Sequence, residues 1–300
     1  MTRTYRCGRR PYAGRVRDDL LPVLACPVCA ESLARVDEQI GCANGHRFDE
    51  AKQGHLTLLP AKRRALTADT PEMVDARLRF LGRGHYAPVE RAIAAIVAAV
   101  PAPGIVLDVG SGPGTYLAHA LRAADGRPGA GSDAPRTSDA GAARLGVALD
   151  LSPVAIRRAA RAHERAGAVV GDVTERLPVV DGAAAVLLDV FAPRNQREYA
   201  RVLHPDGVLV VVTPRTGHLA ELAAATIAVD PEKDRRLHDS LTPAFARRSS
   251  EDLTWTMDLS AEDVHDVVHM GPSHHHVPEG TEFDAAEVTA AVTVSTWTPA

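Results

Sequence analysis

Residues 106–121, VLDVGSGPGTYLAHAL, constrain the fold more than any other stretch of the chain. An apolar strand over Ile105–Val109 runs into glycines at 110, 112 and 114, and helical periodicity follows from Thr115 to Ala124. Glycine permits the sharp turn and lets a ligand approach the main chain at the mouth of a sheet. The alternation continues downstream. Gly146–Asp150, Val169–Val170, Ala183–Phe191 and Gly207–Thr213 read as strands, and Pro153–Ala166 and Asn195–Val202 as helices. Near the C-terminus, Thr289–Thr298 alternates in the manner of a strand. Strands alternating with helices predict an α/β protein with a parallel, doubly wound, Rossmann-like sheet.

Composition sets the remaining bounds. The chain has 300 residues, 45% of them apolar and 24% charged, the profile of a globular protein with a substantial core. No stretch approaches the roughly 20 apolar residues of a membrane span, and no apolar segment follows the basic N-terminus. A cytoplasmic protein with no membrane partner is the expectation. The net charge of −4 conceals an asymmetry: residues 1–100 carry +5 and residues 101–300 carry −9. That asymmetry suits an N-terminal module facing a polyanion, and equally a chance fluctuation between two solvated surfaces.

The expected organisation has four parts. Residues 1–19 are a basic, arginine-rich extension expected to be disordered, and 20–60 a small turn-rich module. Residues 61–100 form a helical linker broken at Gly82–Gly84, and 101–300 the α/β domain. Within that domain residues 125–143 lack aromatic and nearly all large aliphatic side chains, so they read as a disordered surface insertion.

The small module holds the second strong signal. Cys26, Cys29, Cys42 and His46 are spaced C-x2-C-x12-C-x3-H, and Ser32–Ile40 between them can form a strand, a turn and a returning strand. Two cysteine-bearing turns brought together by a hairpin complete a tetrahedron, and three thiolates with one imidazole select Zn²⁺. All four positions are ligands, so the site is closed and structural. Cys7 lies outside the pattern. Four cysteines in 300 residues do not make a disulfide scaffold.

The glycine loop has two possible ligands. A dinucleotide fingerprint requires glycine at 115, where the chain has Thr115. Asp108 followed by Gly110, Gly112 and Gly114 looks instead like the S-adenosylmethionine loop of class I methyltransferases, where an acidic side chain faces a ligand carrying an ammonium and a sulfonium. Asp150, ending the second strand, matches the acid that accepts hydrogen bonds from ribose hydroxyls. Once the insertion is discounted, its separation from the loop approaches the usual roughly 20 residues. Asp172, in VVGDVTERLP, matches the position that contacts the adenine amino group.

Several motifs together resemble one family. The cysteine segment is followed by NGHRFDEAKQGHLTLLP, TADTPEMVDAR and GHYAP; LDVGSGPGT, FAPRN, TPRTGHLAEL and MGPS complete the set. From about Leu24 onward the chain resembles the 23S rRNA (guanine-N1)-methyltransferases of the RlmA/TlrB type, and its TADT and FAPRN wording is closest to the TlrB-like branch. The resemblance implies methyl transfer from S-adenosylmethionine to N1 of one guanine in a hairpin loop of 23S rRNA domain II. That hairpin lies near the peptide exit tunnel, and its methylation in this branch can contribute to resistance to tylosin-type macrolides. It also implies that Tyr86, Gly114, Thr115 and His218 contribute to the cofactor pocket. Residues 125–143 and the arginine-rich extension fall outside the shared pattern.

The target base would have to leave its loop stack, which single-stranded loops make comparatively cheap. The loop Phe191-Ala192-Pro193-Arg194-Asn195 is expected to hold it, with Phe191 stacking and Arg194 or Asn195 bonding the guanine edge. Asp189 is a candidate base, with a purely structural strand role as the competing interpretation. Lys52, Lys62, Arg63 and Arg64, with the zinc module, form the expected RNA-facing surface. His274–His276 read as a loop rather than a metal site. Two other functions compete: a methyltransferase acting on tRNA or a small molecule, with zinc only structural, and a noncatalytic RNA-binding protein. The resemblance also raises a homodimer, which no residue of the sequence demonstrates.

Overall fold

The computed structural model describes residues 15–59, 68–124, 144–226, 232–278 and 280–300. Cys7, Lys62, Arg63, Arg64, most of the basic extension and the insertion at 125–143 lie outside the described residues.

The N-terminal module is a hairpin with a third strand. β1 (Ala34–Val36) and β2 (Gln39–Gly41) pair antiparallel around Asp37, and β3 (Arg47–Phe48) pairs with β2. The linker helices are α1 (Pro71–Gly82), capped by the Thr70 side chain, and α2 (Ala87–Ala99). Proline in the first turn of each suits a position whose N–H has no helical partner. The break at Gly82–Gly84 falls between them, as its glycines predict.

The remaining strands build one sheet. They are β4 (Leu56–Thr57), β5 (Ile105–Val109), β6 (Gly146–Asp150), β7 (Ala166–Val170), β8 (Ala184–Val190), β9 (Leu203–Pro214), β10 (Phe245–Leu259) and β11 (Ala286–Pro299). Their order is β10-β11-β9-β8-β5-β6-β7-β4, parallel from β9 through to β4, with β11 antiparallel to both β9 and β10. β5 and β8 are buried along their whole length, which fits their apolar composition, broken only by Asp108 and Asp189, in a sheet covered on both faces. The chain winds outward from β5 in both directions, so the carboxyl ends of β5 and β8 flank the crevice where open α/β sheets take ligands.

Helices cover the two faces. α2, α3 (Thr115–Ala123), α4 (Pro153–Ala159) and α7 (Ala261–His269) contribute to one apolar core; α5 (Gln196–Val202), α6 (Lys233–Leu241) and Trp297 contribute to the other. α1 is locked to α7 by a two-pronged ion pair. Arg79 donates to both oxygens of fully buried Asp266, and Arg83 pairs with Asp263. The linker is thereby part of the α/β body.

Three elements differ from the sequence reading in ways the packing explains. α4 ends at Ala159, well short of Ala166, and β7 begins at Ala166 rather than Val169. The segment Ala166-Gly167-Ala168 is too small-sided to read as a strand, yet it pairs residue for residue with Gly146–Ala148, and Leu20 packs over Gly167. β10 is the third. Most of its side chains are exposed and polar, and its strand form comes from pairing with β11 along nearly its whole length.

The small module packs directly into the sheet's core. Val16, Leu20, Leu21 and Leu24 are buried in the same core as Val147, Leu149 and Val169, and the bridge Leu24↔Val179 ties them to the sheet. β4 joins β7 in parallel, pairing Leu56 with Val169 and Thr57 with Val170. The zinc-bearing segment and the α/β domain therefore share one core. Replacing fully buried Leu56 by alanine should cost about 3 kcal/mol. Urea unfolding followed by both far-ultraviolet dichroism and tryptophan fluorescence should show one destabilised, cooperative transition; two separated transitions would contradict a shared core.

Candidate active site and metal centre

The metal ligands come from two tight turns. In the first, the N–H of Ala30 donates to the carbonyl of Cys26, with Ala30 in the left-handed region at φ 65°. In the second, Gly45 donates to Cys42 at φ 83°. The hairpin β1–β2 brings the turns together, so that one ligand atom from each of Cys26, Cys29, Cys42 and His46 lies within 4.8 Å of the other three. Individual separations are 3.6 Å between the sulfurs of Cys29 and Cys42, and 3.5 and 3.4 Å from His46 Nδ1 to the sulfurs of Cys26 and Cys42. A tetrahedral ion with Zn–S bonds of about 2.3 Å requires edges of this length. The donor set fits zinc, and with four protein ligands the centre is structural. Among the described residues no other group of three or more such side chains converges. His274 instead meets His269, with their Nδ1 atoms 2.9 Å apart.

The glycine loop forms the floor of a cavity of about 1080 Å³. Gly110 and Gly112 take φ of 66° and 53°. A Cβ on Gly110 would stand 2.6 Å from Ala192 Cβ, and one on Gly112 would stand 2.9 Å from Arg77 Nη1. The backbone is thus packed too closely on its neighbours for any side chain. Asp150 holds the loop from beneath: its Oδ2 accepts the Gly112 N–H at 2.8 Å and its Oδ1 the Ser152 N–H at 2.8 Å. Gly114 caps α3, and Thr115 begins it at the cavity wall.

Asp108 ends β5 fully buried and does not itself line the cavity. Its Oδ2 has no hydrogen-bond partner. Burial, with Asp150 and Asp189 adding repulsion, pushes its carboxyl up to about 8. Asp172 does line the cavity, and its Oδ1 accepts both the N–H and the hydroxyl of Thr174, at 2.9 and 2.6 Å.

An aromatic group forms another wall. Tyr86 is buried between Phe80, Trp255 and Phe191, and its hydroxyl lies 3.2 Å from His218 Nε2. His218 Nδ1 accepts the Ala291 N–H at 3.1 Å. Neutral imidazole must then carry its proton on Nε2 and donate it to Tyr86, leaving the phenolic proton for another acceptor. Phe191 lies nearly parallel to His218 and is 39% exposed at φ 56°. A non-glycine residue in that region is strained, and such strain concentrates at functional sites.

The predicted set therefore divides. Tyr86, Gly110, Gly112, Thr115, Asp150, Asp172, Phe191, Arg194 and His218 line one cavity, with Gly114 adjacent and Asp108 behind. Asn195 and Asp189 do not line it. The Asn195 side chain caps α5, accepting from Glu198 and donating to the carbonyls of Val173 and Glu175, so it is committed to holding backbone. Asp189 is fully buried and accepts the Tyr199 hydroxyl at 2.9 Å, the bond of a structural strand residue. Arg194 differs: its Nε is buried with no hydrogen-bond partner. The sequence reading missed Arg77 and Asp69, which also line the cavity. Nothing local marks them: Asp69 precedes α1 and Arg77 lies on it, and only the fold brings both to the glycine loop.

The fit to S-adenosylmethionine rests on this cradle. The close-packed glycine floor leaves main chain open to a ligand, and the buried, unpartnered oxygen of Asp108 stands behind it for a cationic group.

Comparison with known proteins agrees with the geometry. Residues 24–65 match the RlmA N-terminal zinc-ribbon family model. The 23S rRNA (guanine(748)-N(1))-methyltransferase of Streptomyces fradiae is 42% identical, the match covering 87% of this chain and 89% of the relative. A Micromonospora griseorubida protein assigned as a 23S rRNA (guanine-N(1)-)-methyltransferase is 43% identical, covering 91% and 92%. Among solved structures, a SAM-dependent methyltransferase from Aquifex aeolicus aligns with a TM-score of 0.40 and 12% identity, over 67% of this chain and 85% of that one.

Two predictions follow from the geometry. The full chain should bind one equivalent of zinc, and Cys42→Ser should lower that to near zero in elemental analysis while reducing the melting temperature. Asp108 should make cofactor affinity pH-dependent. With its carboxyl at about 8 in the free protein, it is mostly neutral below that value, and an incoming cation favours the ionised form. Binding then releases a proton, so affinity should rise with pH up to about 8, by at most about tenfold per unit, and level off above. Calorimetry in buffers of different ionisation enthalpy should find this release in the wild type and less of it in Asp108→Asn. With the zinc ribbon, the glycine-loop cavity and relatives above 40% identity over most of their length, the chain belongs to the 23S rRNA (guanine-N1)-methyltransferase family.

Proposed function

We propose that this enzyme methylates N1 of one guanine in a domain II hairpin loop of 23S rRNA, near the peptide exit tunnel. The S. fradiae relative, named for guanine 748, supports that position for this chain; a contribution to tylosin-type macrolide resistance is what the resemblance of the motifs implies. The observation that carries the reading is the union of a glycine-floored cavity with Arg194, whose buried Nε has no hydrogen-bond partner, and a part-exposed, strained Phe191 on one rim.

Bound S-adenosylmethionine supplies an electrophilic methyl group. The protein's own part is to bind and to orient, since methyl transfer depends on an in-line approach. The glycine loop receives the cofactor's main body. Asp150, whose oxygens keep lone pairs beyond the two N–H bonds, takes the ribose hydroxyls; Asp172 takes the adenine amino group. Tyr86, its hydroxyl turned outward by the His218 bond, holds the cofactor from the opposite wall. Phe191 stacks on the extruded guanine, and Arg194 donates to its acceptor edge.

The zinc ribbon and Lys52 contact phosphates and hairpin shape, leaving base choice to the pocket. The test is primer extension on 23S rRNA treated with the purified enzyme and S-adenosylmethionine, because an N1-methyl group blocks the pairing edge. A stop at one domain II guanine is expected. Phe191→Ala should lower its yield roughly tenfold, given the ~1–3 kcal/mol of a base–aromatic stack. Label transferred to tRNA or a small molecule but not to 23S rRNA would overturn the reading.

A further inference from the structure

One cation lies directly on the glycine loop with no role assigned above. Arg77, on α1, has its Nη1 2.9 Å from where a Cβ on Gly112 would be, so the guanidinium rests against the loop backbone. It lines the cavity with Asp69 and is mostly shielded, its side chain 22% exposed. Nη1 donates to Asp69 and Nη2 to the Met270 carbonyl. Two of the five guanidinium N–H groups are thereby used, and they fix the plane of the fork. The backing is itself anchored: the Asp69 carbonyl accepts the Ser152 hydroxyl at 2.9 Å, and Ser152 is bonded to Asp150.

The charge pattern of the cofactor explains what such a fork is for. Asp108 and Asp150 suit the cationic and hydroxyl parts of S-adenosylmethionine, but the same acids repel its α-carboxylate. A carboxylate entering this crevice requires a cation of its own, and a pre-aimed guanidinium is the side chain best shaped for it. We propose that Arg77 grips the α-carboxylate of the methionine half of the cofactor, with Asp69 and the Met270 carbonyl acting as the clamp that aims it. This rests on the cofactor assignment and adds to it a subsite, supplied by the linker helix rather than by the α/β domain's own loops.

The test compares two ligands differing by one group: S-adenosylmethionine and its decarboxylated analogue, which keeps the sulfonium, the ammonium and the adenosine. Calorimetry on the full zinc-loaded chain should find that Arg77→Met weakens the parent ligand roughly 10- to 100-fold, the size expected for charge-assisted hydrogen bonds. The decarboxylated ligand should change less than about threefold, so the preference between the two collapses. Asp69→Asn, which keeps the arginine but loosens its clamp, should shift the preference in the same direction by a smaller factor. Thermal melts check that both variants fold. The proposal is overturned if either variant weakens both ligands equally, if the preference survives in Arg77→Met, or if it collapses in Arg194→Met instead. Failure of the wild type to bind either ligand would overturn the cofactor assignment itself, a result distinct from all of these.

Discussion

The carboxylate of Asp150 is the point on which the site depends. It sits half-buried at the end of β6 on the cavity wall, and two backbone N–H groups bond its two oxygens. One belongs to Gly112 in the loop after β5, the other to Ser152 at the start of α4. Ser152 in turn caps α4 through Ala155 and donates to the carbonyl of Asp69 before α1. A single acid thus sets the distance between two neighbouring strands' loops and fastens the linker over them. Asp150 works as a cofactor ligand because its position is already fixed by the backbone it holds.

The opposite wall uses the same economy. Ala291 on β11 orients the His218 ring, and the ring orients the Tyr86 hydroxyl. Tyr86 is meanwhile boxed in by Phe80 and Trp255, whose indole N–H donates to the His85 carbonyl. The wall is therefore built from the linker, the segment after β9 and the two C-terminal strands. Residues far apart in sequence converge because the antiparallel β10–β11 pair extends the sheet beyond β9, beside the segment that follows it.

What could be read from the sequence was whatever local backbone geometry dictates. Glycines at 110, 112 and 114 mark a turn that no other residue makes comfortably, and the cysteine spacing marks two ligand turns joined by a hairpin. Both hold because their requirements are satisfied within a few residues. Asn195 and Asp189 stayed ambiguous in the sequence for the opposite reason. An amide after a strand can cap a helix or meet a ligand, and only the positions of Val173 and Glu175 decide for capping. Arg77 went unnoticed because an arginine on an amphipathic linker helix has no local signature; its role depends on Gly112 and Met270 arriving beside it. β10 was invisible because its pattern is polar and its order comes from the partner strand.

The parallel pairing of β4 with β7 has a consequence for how the chain assembles. β4 is synthesised early, but its partner strand is not made until more than a hundred residues later. The zinc turns can close as soon as their ligands emerge, since they need only local contacts, whereas β4 must wait. When β7 does arrive, β4 lies along its open edge, which would otherwise be free to pair with another chain. In chain order, the first-made strand of this sheet is thus among the last to be paired.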